Sequence, residues 1–105
     1  MALPKIDNGF LLEFLTGLLN TPSPTGMAEA AIAYTEQALQ GFTGLQFRRT
    51  RKGALVVTWP GLKDDAPRAL TAHADTLGAM VKEIKPNGRL KLTQIGGYAW
   101  NAVEG

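Results

Sequence analysis

Cysteine is absent from the sequence, and histidine occurs once, at position 73. The first absence removes disulfides and thiolate metal sites, and it agrees with a reducing compartment. The second means that a centre built on several imidazoles cannot be assembled from these residues alone. No stretch approaches the roughly 18 consecutive apolar residues of a membrane span. The opening Met-Ala-Leu-Pro-Lys-Ile-Asp has no apolar signal core. A dominant charge is missing too. Eleven Lys+Arg against nine Asp+Glu leave a net charge of +2, so the pI of about 9.2 overstates how basic the chain is. Basic residues gather only at Arg48, Arg49, Arg51 and Lys52. Nucleic-acid binding would want a longer stripe or interleaved aromatics, and the cluster reads as the solvated end of a strand. The expectation is a soluble cytoplasmic protein with neither nucleic acid nor membrane as partner.

What is present is a globular balance, 45% hydrophobic and 19% charged over 105 residues, enough for one small domain with a modest core. Asp7 or Asn8 can cap a helix, because a short side-chain oxygen satisfies an orphan backbone N–H. Phe10, Leu11, Phe14, Leu15 and Leu18 follow at helical spacing to about Leu19. Asn20-Thr21-Pro22-Ser23-Pro24-Thr25-Gly26 breaks that helix, since its prolines remove donors and restrict the residues before them. Thr25 or Ser23 can cap a second, Ala-rich helix over residues 27–40, with Gly41 as its C-terminal cap. Met27 and Tyr34 read as packing groups.

The pattern then turns to strands. Residues 45–51 alternate loosely, Lys52-Gly53 suits a tight turn, and Ala54 to Trp59 make a second strand, so a hairpin is expected. Lys63-Asp64-Asp65-Ala66-Pro67 is a polar surface loop whose adjacent carboxylates are most simply a solvated turn. Arg68 to His73 lacks polar alternation, as does a strand buried on both faces of an α/β sheet. Functional groups in such sheets sit just past the carboxyl ends of strands, where His73 and Asp75 fall. Residues 79–84 and 90–95 form a second hairpin around Lys85-Pro86-Asn87-Gly88-Arg89, with Gly88 where the turn needs positive φ. Trp59 and Trp100 read as packing groups.

His73-x-Asp75 is the pair that carries chemistry. Imidazole binds a metal through one nitrogen, and the other usually donates to a carboxylate that fixes tautomer and ring orientation. On extended backbone, residues two apart share a side. Asp75 can therefore orient His73 or join it at a metal. The triplet is common by chance, and from spacing alone a structural histidine at a strand end is the simpler reading. One His and one Asp cannot close a zinc site, which takes three or four protein ligands. Glu13, Glu29, Glu36, Glu83 and Glu104 are scattered and complete no motif.

The stretch from Leu70 to Gly97, LTAHADTLGAMVKEIKPNGRLKLTQIGG, resembles the metallopeptidase family of glutamyl, deblocking and tetrahedral (TET) aminopeptidases. The shared features are His73-x-Asp75, Gly78, the Asn87-Gly88 turn and Ile95-Gly96-Gly97. A Leu-rich helix, a TPSPTG-type loop (Thr21 to Gly26) and a second helix precede them in the same order. Thr76 departs from the acidic residue that often follows His-x-Asp in that family.

The resemblance implies a cocatalytic enzyme with two divalent metal ions, zinc or cobalt, that releases N-terminal residues from peptides. It makes His73 a metal ligand and gives Asp75 a catalytic role as the carboxylate that orients it. The implied fold is α/β. Two N-terminal helices and a small mixed β-sheet form the first part of a catalytic domain (1–76). A hairpin then starts an inserted β-barrel-like domain (77–105) used for dimerisation and larger homo-oligomers. The bridging aspartate, the Glu-Glu pair with the general base and the later ligands would lie downstream. The chain is therefore expected to be an inactive N-terminal portion of a longer enzyme, with little or no metal held on its own. Two other readings stand beside this one. A related carboxypeptidase, tripeptidase or acylase also uses His-x-Asp. A non-enzymatic domain could instead self-associate through its β segments, exposing Leu90, Leu92, Ile95 and Trp100.

Overall fold

The computed structural model describes residues 3–63 and 65–103; Asp64 and Glu104 lie outside the described residues. The elements run α1 (Asn8–Leu19), α2 (Glu29–Leu39), β1 (Gln46–Arg49), β2 (Leu55–Thr58), β3 (Gly78–Ile84), β4 (Leu90–Ile95) and a 3-10 turn (Trp100–Val103).

Helix α1 begins where its cap dictates. Asp7 Oδ1 accepts a hydrogen bond from the Phe10 amide at 3.1 Å, satisfying one of the free N–H groups of the first turn. The helix closes on Asn20, whose side chain donates to the Thr16 carbonyl at 2.8 Å, and on the Thr21 hydroxyl, which donates to Gly17 at 2.9 Å. Aromatic contacts join the two helices. Phe14 stacks on Tyr34 of α2 with ring centroids 5.5 Å apart, and Phe10 lies 6.2 Å from Phe14 and 6.4 Å from Phe42. Gly17 permits this approach, since a Cβ there would meet the Tyr34 hydroxyl and come within 2.6 Å of its Cζ.

Helix α2 starts two residues later than its composition predicts, and neither Ser23 nor Thr25 caps it. Ala28 is the cap residue and offers no side-chain bond, because both hydroxyls are committed elsewhere. Gly41 is not the terminal glycine either; the left-handed residue after the helix is Gly44, at φ +82°.

Both predicted hairpins form, each as a separate two-stranded antiparallel sheet. Gly53 (φ +84°) and Gly88 (φ +79°) supply the left-handed residue at the two turns. The second turn is closed by the Gly88 amide donating to the Lys85 carbonyl at 2.9 Å. Arg49 departs from the expected solvated cluster. Its Nε donates to Glu36 Oε2 at 2.9 Å and its Nη1 lies 3.4 Å from Glu29 Oε1, so β1 is tied to α2 by charge.

The expected mixed sheet and its third strand are not formed. Residues 68–73 adopt no regular secondary structure and make no ladder with any described strand, and Leu70 is 99% exposed. An apolar run becomes a buried strand only where strands pair beside it and other elements cover its faces. Here the nearest β connection among the described residues is an isolated parallel bridge between Pro24 and Thr76, just past the end of the run. Trp59 (80% exposed) and Met27 (69%) likewise pack against little.

Among the described residues only Ala31 and Ser23 are buried. The accessible surface is 9506 Å², against roughly 5,700 Å² for a compact monomer of this mass. The radius of gyration is 18.7 Å, against about 13 Å for a compact domain of this length. These residues therefore present an open apolar face rather than enclosing one.

Replacing Gly17 by alanine separates two effects of opposite sign. Helix propensity alone would favour alanine by up to about 1 kcal/mol. Displacing a Tyr34 ring already stacked on Phe14 costs roughly 1–3 kcal/mol as overpacking. A lower midpoint in thermal unfolding followed by far-UV circular dichroism is the expected outcome; a raised midpoint would show that the helices do not meet at Gly17.

Candidate functional site

The Thr21–Gly26 loop and the His73–Thr76 segment are brought together by backbone and side-chain bonds. The Thr76 amide donates to the Ser23 carbonyl at 2.8 Å. The Ser23 hydroxyl, on a residue only 2% exposed, donates to the Ala74 carbonyl at 2.8 Å. The Thr25 hydroxyl donates to Asp75 Oδ2 at 2.7 Å. Two prolines make the loop suitable for this, because they fix φ and remove competing donors. Gly78 lets β3 start alongside the loop, as a Cβ there would lie 2.7 Å from Pro24 Cβ.

His73 and Asp75 face each other as alternation on extended backbone predicts. Nδ1 of His73 lies 3.0 Å from Asp75 Oδ1 and 3.2 Å from the Asp75 carbonyl oxygen. An ionised carboxylate and a carbonyl can only accept, so the geometry puts the ring proton on Nδ1. Nε2 of the neutral ring then carries a lone pair, on a side chain that is 85% exposed.

Asp75 has its carboxyl held below the ordinary carboxylate range, first by the Thr25 hydroxyl and then by the His73 hydrogen bond. Both bonds favour the charged form. With a folded pKa below the unfolded one, this stabilisation is fully present above the unfolded value and is lost as pH falls through the folded one.

The donor set suits one ligand position of a metal site: an accessible imidazole nitrogen whose partner nitrogen is fixed by a carboxylate. Among the described residues no three His, Cys, Asp or Glu side chains converge as a metal-binding group. Glu29 and Glu36 turn to Arg49, and Glu83 pairs with Lys91 at 3.8 Å. Asp65 is exposed in its loop. Ser23 and Thr25 are the site residues that sequence reasoning missed. Their signal was two hydroxyls flanking a proline in a rigid loop, which equally suits a helix cap.

Two comparisons with known proteins bear on this arrangement. The family described as M42 glutamyl aminopeptidase matches residues 53–105, a span that contains His73, Asp75 and the second hairpin. YhfE of Bacillus subtilis (strain 168), whose name assigns it to the aminopeptidases, is 47% identical over 94 residues, covering 90% of this chain. The chain spans 27% of the length of YhfE.

Ser23→Ala removes the hydroxyl bond to Ala74 without adding bulk. A net loss of about 1 kcal/mol is expected, read as a lower urea midpoint. An unchanged midpoint would mean that this bond does not secure the loop.

Proposed function

The chain belongs to the M42 glutamyl aminopeptidase family, and from that membership we propose that it forms part of a metal-dependent aminopeptidase that hydrolyses N-terminal residues from peptides. The observation that carries the proposal is the His73–Asp75 pair, in which Nδ1 lies 3.0 Å from Asp75 Oδ1 on a histidine side chain that is 85% exposed. In this reading His73 ligates one of two divalent ions, zinc or cobalt, and Asp75 orients it. Such ions, when bound, polarise the scissile carbonyl and lower the pKa of a bound water. His73 offers a neutral nitrogen to the metal, while Asp75 keeps the ring proton on Nδ1 and resists rotation of the ring.

The proposal extends to organisation. Residues 1–76 are assigned to the catalytic domain and 77–105 to the start of an inserted β-barrel-like domain. The start of the second hairpin at Gly78, after a stretch with no named element since β2, supports that division. Self-association into a homo-oligomer is proposed through the second hairpin, where Met80, Ile84 and Leu90 are more than half exposed and each strand has one unpaired edge in a two-stranded sheet. The open apolar face is proposed to be covered by further polypeptide in the whole enzyme, in keeping with the 27% of YhfE that the chain spans. A cytoplasmic location is proposed from the cysteine-free composition. The family match favours the aminopeptidase over the carboxypeptidase-type and non-enzymatic readings.

Calorimetric titration with Zn²⁺ and Co²⁺ tests the ligand assignment. The purified chain is expected to bind weakly, since one imidazole is a small part of a metal site, and to lose that binding in His73→Ala. Undiminished binding in the variant would refute His73 as the ligand. The chain alone is expected to release no amino acid from peptide substrates.

A further inference from the structure

We infer that Thr25 is a positioning residue for His73, acting through Asp75. The three side chains form one line of hydrogen bonds. Thr25 Oγ1 donates to Asp75 Oδ2 at 2.7 Å, and the opposite oxygen, Oδ1, accepts from His73 Nδ1 at 3.0 Å. The two bonds occupy different oxygens of one carboxylate, so they do not compete. A carboxylate held at one oxygen alone can still rotate about its Cβ–Cγ bond and offer either oxygen to the imidazole. Fixing Oδ2 removes that freedom and leaves Oδ1 aimed at Nδ1.

Thr25 itself is held because its neighbours on the loop are held. Pro24 forms the bridge to Thr76, and Ser23 is bonded to Ala74 and Thr76. The position of Thr25, 50 places from Asp75 in sequence, is thereby transmitted to the His73 ring. Hydrogen-bond partners one step removed from a metal ligand typically change affinity by 10- to 100-fold when lost. Thr25 lies one step further out, so the expected effect is at the lower end. The functional meaning of this inference rests on the reading of His73 as a metal ligand, whereas the hydrogen-bond line does not.

The test uses ¹⁵N chemical shifts of the His73 ring at about pH 8.5, above the ordinary imidazole range, together with zinc titration. His73 is the only histidine in the chain, so its signals need no separation from others. Wild type is expected to show the proton on Nδ1. Thr25→Val, which keeps the shape and removes the donor, is expected to shift the ring toward the Nε2–H tautomer and weaken Zn²⁺ binding about tenfold. Thr25→Ser, which restores a hydroxyl, is expected to recover both. An Nε2–H ring in wild type would overturn the inference even if the valine variant failed to fold. Unchanged shifts in Thr25→Val would overturn it as well. A tautomer shift in Thr25→Val with zinc binding undisturbed in His73→Ala would support the hydrogen-bond line and refute the metal-ligand reading instead.

Discussion

The bond from the Thr76 amide to the Ser23 carbonyl is the constraint on which the site depends. The segment from Pro67 to Leu77 has no ladder among the described residues, and a stretch without one has little to hold it in one shape. At Thr76 it meets a loop whose own conformation is restricted by Pro22 and Pro24. That backbone bond, the hydroxyl bond of Ser23 and the Pro24–Thr76 bridge hold the last residues of the segment in place. The His73–Asp75 geometry follows from a fixed backbone at residues 74–76, and without it the pair would be two side chains on an untethered segment.

The rest of the chain frames this contact without enclosing it. Two helices meet over Phe14, Tyr34 and Gly17, and Arg49 joins the first hairpin to the second helix through Glu36. The second hairpin departs from Gly78, where the Tyr98 hydroxyl donates to the Gly78 carbonyl at 2.7 Å and Trp100 packs edge-on to Tyr98 at 5.9 Å. Stability in this arrangement is local: small clusters, caps and turns, each worth about a kilocalorie per mole, rather than a shared interior.

Elements specified by local chemistry were legible in the sequence. Asp7 caps the first helix because nothing else competes for its oxygen. Gly53 and Gly88 mark the hairpins because they take left-handed backbone that side chains disfavour. The spacing of His73 and Asp75 placed them on one side because alternation on extended backbone is local too. What was not legible depends on distant partners. Arg68 to His73 read as a buried strand, yet an apolar run cannot announce whether neighbours exist to bury it. Ser23 and Thr25 have side chains that suit a helix cap or a long-range bond equally, and only the meeting with residues 74–76 decides between them. Arg49 sat in a basic run whose sequence gives no sign of Glu36 on the facing helix. The mixed sheet failed for the same reason as the third strand, as the two depend on one another.

The measurement that bears most directly on this account is hydrogen exchange of the Thr76 backbone amide, followed by NMR under native conditions. If the loop holds the His-x-Asp segment, this amide exchanges far more slowly than the amides of Leu70 and Thr71, which lie on the same segment and have no such backbone partner among the described residues. Exchange at Thr76 as fast as at those two residues would mean that the loop and the segment are not joined in solution, and the oriented His73–Asp75 pair would lose its physical basis.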